Sequence, residues 1–176
     1  MRVVAGLVGG RRLQVPPGET TRPTSDLVRS AIFNSLASLD ALDGAEVLDL
    51  FAGSGALGIE ALSRGAVRAT FVDRDRRSVA TIRANLGALG LADRAKVVRD
   101  EVGRWLRAAG RADVALIDPP YAWNGWHDLL SGLQVDLVVG ESDHAIGSPA
   151  GWEVLRTRRH GGTVVTLLQR QGDPAP

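Results

Sequence analysis

An α/β fold with a mostly parallel sheet is what this sequence predicts, and three observations carry the prediction. Apolar strand-length runs alternate with helix-length segments from Val47 onward. A glycine-rich loop, Gly53-x-Gly55-x-x-Gly58, joins the first run to the helix after it. The fourth run, Val114–Asp118, is nearly all apolar, as a strand covered on both faces must be.

The elements follow in order. Residues 2–15 read as two short strands around Gly9-Gly10, a hairpin signal. Pro16-Pro17-Gly18 breaks the chain. Leu27, Val28, Ala31, Ile32 and Leu36 then recur at helical spacing, with Thr24 or Ser25 as the cap. Residues 37–45 form a connector. Val47–Phe51 is a strand and Gly58–Arg64 opens a helix. Ala69–Asp73, Ala95–Arg99 and Val114–Asp118 are further strands, separated by helices at Ser78–Gly87 and Val102–Ala109. Leu129–Leu133 reads as a short helix and Asp136–Glu141 as a fifth strand. Trp152–Arg158 and Thr163–Gln169, joined by Gly161-Gly162, add an antiparallel edge. Residues 1–44 thus form an extension, 45–171 the main domain and 172–176 a frayed tail.

Composition narrows the function classes. A chain of 176 residues with 44% hydrophobic and 23% charged residues can bury an ordinary core. No run approaches the roughly 18 apolar residues of a membrane span, and the N-terminus lacks a signal peptide's apolar centre. The cytosol is the expected compartment. The absence of cysteine excludes disulfides, thiolate catalysis and Cys-type zinc, and three scattered histidines argue against a metal site. The net charge is +1, yet all but one of the 21 basic residues are arginine, the exception being Lys96. Residues 1–35 hold Arg2, Arg11, Arg12, Arg22 and Arg29 against Glu19 and Asp26. Such an arm fits phosphate contact as well as a solvated surface.

The loop Asp49-Leu-Phe-Ala-Gly-Ser-Gly-Ala-Leu-Gly58 is the first chemical signal. Glycines let the backbone turn tightly and approach a ligand. The next strand ends in Asp73, whose carboxylate can accept both hydrogen bonds of a ribose diol. Dinucleotide and S-adenosylmethionine sites share these features. Asp49 separates them: a carboxylate at the end of the first strand repels a pyrophosphate and attracts a cationic amino group and sulfonium. Asp100 and Glu101, after the third strand, are candidates to hold an adenine amino group.

Asp118-Pro119-Pro120-Tyr121 follows the fourth strand and is the most specific feature of the chain. In an open parallel sheet, ligands bind beyond the strand C-termini where strand order reverses. The first and fourth strands flank that point, so the tetrapeptide faces the glycine loop. An exocyclic amine on a base is a poor nucleophile because its lone pair is delocalised into the ring. The Asp118 carboxylate and the Pro119 carbonyl can each accept one N–H and so favour a pyramidal nitrogen. Two prolines stiffen the loop, and Tyr121 can stack on the base, worth ~1–3 kcal/mol.

Asp49–Gly58 with Asp118–Tyr121 resembles the class I S-adenosylmethionine-dependent methyltransferases that act on amino nitrogens. Three segments are similar, more narrowly, to the bacterial 16S ribosomal RNA guanine-N2 methyltransferase family. They are Val4-Ala-Gly with Gly9-Gly10-Arg-Arg-Leu, Arg22-Pro-Thr-Ser-Asp-Leu-Val-Arg-Ser-Ala-Ile-Phe-Asn34, and Asp49 to Gly65. The resemblance implies a monomeric Rossmann-like protein with a mostly parallel seven-stranded sheet, helices on both faces and an N-terminal hairpin and helix extension. It implies 16S rRNA in the small subunit as substrate. Asp118, Pro119, Pro120 and Tyr121 would hold the guanine. Asp49, Phe51, Gly53, Ser54, Gly55, Asp73 and Arg74, with Asp100 and Glu101, would bind the donor. The Arg22–Arg29 segment, including Thr24, would close over the donor and face RNA, with Arg11 and Arg12 on phosphates. Residues 122–140 are short for the family, which predicts a truncated helix there. Trp123 and Trp126 are candidates either to contact the base or to fill a gap, with packing the favoured expectation. Rival readings are adenine-N6 or protein-glutamine methylation, an NAD-dependent oxidoreductase, and a non-catalytic RNA-binding assembly factor.

Overall fold

The computed structural model describes residues 1–17 and 25–172. Five parallel strands, β1 (Glu46–Leu50), β2 (Arg68–Asp73), β3 (Ala95–Arg99), β4 (Val114–Ile117) and β5 (Leu137–Ser142), and an antiparallel pair, β6 (Trp152–His160) and β7 (Thr163–Arg170), form one seven-stranded sheet. Its order is β3-β2-β1-β4-β5-β7-β6. The order reverses at β1, between β2 and β4, which opens a crevice beyond the ends of those strands.

Helices cover both faces because the strands carry apolar side chains on both. β4 and β5 are buried along their whole length. On one face α1 (Asp26–Ser38), α2 (Ala56–Ser63) and α3 (Arg76–Leu89) pack against Val47, Phe71, Leu116, Val139 and Leu167. On the other, α4 (Val102–Leu106) and α5 (Trp126–Gly132) pack against Leu48, Val72, Ile117, Val138 and Leu168. Ser25, not Thr24, caps α1, its hydroxyl accepting from the Val28 N–H at 3.3 Å. Arg22 and Thr24 lie outside the described residues, so their predicted roles do too.

Three expectations shift. The helix after β3 ends at Leu106 rather than Ala109. The short helix near residue 130 begins three residues early, at Trp126. Residues 2–15 make only one isolated bridge, Arg2 to Arg12, rather than two strands. The arm's amides explain this: Val4 and Ala5 donate to the Glu60 carboxylate at 2.6 and 3.0 Å, and Leu7 and Val8 donate to Ser63. Those donors are taken by α2, so the hairpin ladder stays short. Gly6, at φ 84°, permits the close seat; a Cβ there would lie 2.0 Å from the Ser63 carbonyl oxygen.

Candidate active site

The loop after β1 is built on left-handed backbone. Phe51 (φ 61°), Gly53 (φ 54°) and Gly55 (φ 78°) all adopt it. For Phe51 this conformation stores about 1–3 kcal/mol, and such strain persists only where the surroundings impose it. Here they do: the Ala52 N–H donates to the Val72 carbonyl, the Gly55 N–H donates to the Ala52 carbonyl at 2.7 Å, and the Phe51 ring meets Trp123 edge-on at 5.1 Å. Gly58 has a different task. A Cβ on it would stand 2.4 Å from the Phe71 ring, so the third glycine lets α2 lie close on β2. Its N–H donates to Asp49 Oδ2 at 2.8 Å.

Asp49 is 2% exposed, and burial pushes its carboxyl well above the usual carboxylate range. The Gly58 amide opposes that shift, while the neighbouring charges of Asp118 and Asp73 add to it. Asp73 is raised as well, chiefly by burial, against two amides that hold its charged form. Those amides are Gly53, donating to Oδ2, and Asp75, donating to Oδ1, each at 2.8 Å. One carboxylate thus fixes the loop and the start of α3, and its remaining lone pairs can accept from a diol.

Asp118 leaves the end of β4 with its N–H directed at the Leu50 carbonyl, 3.5 Å away, which holds the two loops side by side. The Trp123 N–H donates to the Pro120 carbonyl at 2.8 Å and closes the turn. The Pro119 carbonyl accepts no hydrogen bond among the described residues. Tyr121 is 51% exposed, with its hydroxyl 3.0 Å from Thr163 Oγ1, which sets the ring at the rim.

These parts meet in one cleft of about 570 Å³, a size suited to a cofactor and part of a second substrate. Asp49, Phe51, Gly53, Ser54, Asp73, Arg74, Asp100, Glu101 and Asp118 to Tyr121 all line it. Gly55 does not; it is the N-cap immediately before α2. Asp100 is held by the Arg104 guanidinium, which keeps its carboxyl below the usual range. Glu101 makes no side-chain hydrogen bond among the described residues and is the freer acceptor for an amino group.

The arm corrects one expectation outright. Arg29 is 0% exposed; its guanidinium donates to the Arg2 carbonyl and pairs with Asp26 at 2.7 Å, so it serves the extension's packing rather than RNA. Arg11 and Arg12 are exposed, but Arg11 donates to the Ala88 carbonyl near the C-terminal end of α3, the end of the sheet away from the cleft. Glu141, His160, Thr163 and Met1 line the cleft without having been assigned a role from sequence, and Trp123, expected to pack, lines it too. Glu141 was findable, since it lies at the C-terminal end of a parallel strand beside β4. His160 and Thr163 reach the cleft only through the long β6–β7 hairpin, which local pattern does not reveal. Trp126 packs as expected; it is buried and edge-on to Trp123 at 5.3 Å.

The profile of the family described as Conserved hypothetical protein 95 matches residues 1–169. The chain belongs to that family. It is 38% identical to YlbH of Bacillus subtilis, named as a candidate rRNA methyltransferase, over 98% of this chain and 100% of the relative. It is 35% identical to ribosomal RNA small subunit methyltransferase D of Escherichia coli, over 97% and 90%. Among solved structures, the candidate methyltransferase yhhF from Escherichia coli superposes with a TM-score of 0.86 at 35% identity, over 98% of this chain and 99% of that one. The fold is that of the class I methyltransferases, whose cofactor is S-adenosylmethionine. The family's cleft fits that group in this chain. No cation lies within ion-pair distance of Asp49 among the described residues, and a buried carboxyl crowded by Asp73 and Asp118 gains from a cationic ligand and would repel a pyrophosphate.

Proposed function

We propose that this protein transfers a methyl group from S-adenosylmethionine to the exocyclic N2 of a guanine in 16S rRNA, guanine 966 by family resemblance, acting as a cytoplasmic monomer on assembled small-subunit particles. The observation that carries the proposal is the meeting of two loops in one cleft: Asp118–Tyr121 beside the strained Phe51–Gly55 turn. The names of the relatives supply the rRNA.

When bound, the donor supplies an electrophilic methyl on a cationic sulfur. Asp49 and Asp73 position its amino group and ribose diol, and Glu101 accepts from the adenine amino group. The Asp118 carboxylate and the Pro119 carbonyl each accept one N–H of the target amine, which turns the nitrogen lone pair toward the methyl. Tyr121, anchored through Thr163, gives the base a face to stack on. As nitrogen and carbon bond, the carbon–sulfur bond breaks and the amine loses one proton, to Asp118 or to solvent. No strong base is needed, since the sulfonium charge vanishes in the same step. Positioning of this kind can supply ~7–11 kcal/mol of the acceleration.

Guanine N2 lies in the minor groove of a duplex, so the base must be flipped out or met in a loop. RNA loops present such unstacked bases. The test offers labelled S-adenosylmethionine with small subunits, naked 16S rRNA, duplex DNA and protein. Label on guanine of the rRNA is the expected result, and label only on adenine or glutamine would overturn the guanine reading.

A further inference from the structure

The acidic lining of the cleft raises a problem for an RNA substrate. Asp49, Asp73, Asp100, Glu101, Asp118 and Glu141 all face a space that a polyanion must approach. The expected counterweight on the arm is weak: Arg29 is buried and Arg11 sits at the far end of the sheet. The structure supplies cations elsewhere.

β6 is the outermost strand of the sheet and carries Arg156, Arg158 and Arg159, all exposed. Arg156 pairs with Leu167, Arg158 with Val165 and His160 with Thr163. Alternation along a strand therefore puts Arg156, Arg158 and His160 on one side, above Val165 and Leu167, and Arg159 on the other. That side forms a groove with Ala31, Ile32 and Ser35 of α1. His160 lines both this groove and the methyl-transfer cleft, so the two adjoin at that residue.

Among the described residues no carboxylate lies within ion-pair distance of Arg156 or Arg158; Arg156 donates only to the neutral Ser35 hydroxyl at 3.3 Å. By contrast Arg64, Arg104 and Arg111 each hold a carboxylate. Two like charges about 6.6 Å apart on one strand face repel each other, and an anionic partner relieves that repulsion. Their spacing suits successive phosphates of an extended strand.

We propose that the Arg156–Arg158–His160 side of β6 is a phosphate track that guides a single RNA strand into the cleft. The proposal rests on the RNA reading above. Arg159, on the opposite side and close enough to Asp143 to favour that carboxylate, is not part of the track.

The test measures binding of 16S rRNA and of a single-stranded RNA oligonucleotide against salt concentration, with methyl transfer to small subunits alongside. The variants are Arg156→Ala/Arg158→Ala, its charge-keeping form Arg156→Lys/Arg158→Lys, Arg159→Ala, and Arg68→Ala/Arg83→Ala as an equal charge loss elsewhere. The alanine pair should weaken RNA binding by about tenfold or more and flatten the salt slope by roughly 1.4, two single-strand phosphate contacts. KM should rise while kcat at saturating RNA and S-adenosylhomocysteine binding stay unchanged. The lysine pair should keep most of the slope, and Arg159→Ala and the Arg68/Arg83 pair should change binding less than twofold. Equal losses in the Arg68/Arg83 pair, or wild-type RNA binding in the Arg156/Arg158 alanine pair, overturn the track while leaving methyl transfer standing. A wild-type protein that neither binds nor methylates RNA overturns the RNA reading and the track with it. A variant that aggregates yet binds RNA normally assigns the arginines to guarding the sheet edge and overturns the track as well.

Discussion

Two buried carboxylates on neighbouring elements are handled in opposite ways. Glu60, in α2, is 0% exposed, and its charge is answered by the Val4 and Ala5 amides and by the Arg64 guanidinium at 2.7 Å. Asp49, in β1, is almost as buried, yet it receives one amide and faces two other carboxylates. A buried charge left unanswered is costly, whereas an answered one can hold structure together. The arm's seat is therefore complete in the chain itself, while the cleft is complete only when a cationic ligand enters. The same contrast runs through the glycines: Gly6 and Gly58 are required by packing, whereas Gly53 and Gly55 shape the turn that faces the ligand.

The sharpest way to break the contrast is at the reacting loop. Asp118→Ala should lower the transfer rate by ~10²–10³, the scale seen when one preorganised polar contact to the reacting group is removed, and leave S-adenosylhomocysteine binding unchanged. Single-turnover transfer with a parallel binding titration checks this; a loss of donor affinity equal to the loss of rate would place Asp118 in the donor site instead.

Next comes Asp49. Its carboxyl is raised on folding, so the proton-bound form is favoured in the folded state. Its stabilising contribution is full below the unfolded value of about 3.9 and is lost as pH rises through the raised value. Asp49→Asn keeps an acceptor for the Gly58 N–H and removes the charge. The apo variant should therefore melt higher than wild type at about pH 8, with the gap closing as pH falls, while its affinity for S-adenosylmethionine drops by roughly tenfold or more. Wild-type affinity should also fall as pH decreases and Asp49 protonates. Thermal melts and calorimetric titration across pH read both effects, and a variant that melts lower at every pH would show Asp49 to be answered by the protein.

Gly58→Ala tests packing: a methyl group 2.4 Å from the Phe71 ring should cost about 1–3 kcal/mol in chemical denaturation. Glu60→Gln, which weakens the arm's seat, should cost a similar or smaller amount, about 1–3 kcal/mol, with little change in donor affinity. The smallest effect belongs to Tyr121→Phe, which loses the Thr163 contact and keeps the ring. KM for RNA should move less than threefold, whereas Tyr121→Ala should raise it by about tenfold if stacking is worth ~1–3 kcal/mol.

Much of this was legible in the sequence because it is local. The β1 loop, Asp73 and the Asp118–Tyr121 turn each follow a strand whose apolar run announces it, and parallel topology carries them to one end of the sheet. What was hidden depends on distant pairing. Arg29 was expected to face RNA; its pairing with Asp26 is local, but the Arg2 carbonyl that helps hold it inside lies 27 residues away. Nothing in the local pattern marks Glu60, because its amide donors sit about 55 residues upstream. The antiparallel edge was legible, but only the register with β7 aligns Arg156, Arg158 and His160 along one side of it. Glu141 alone was within reach, at a strand end beside β4.

The most direct measurement is mass spectrometric analysis of nucleosides from 16S rRNA after incubation of unmodified small subunits with this protein and isotope-labelled S-adenosylmethionine. Label in N2-methylguanosine is the result the two-loop cleft predicts. Label confined to N6-methyladenosine, or no label in the rRNA with an intact donor-binding protein, would contradict it.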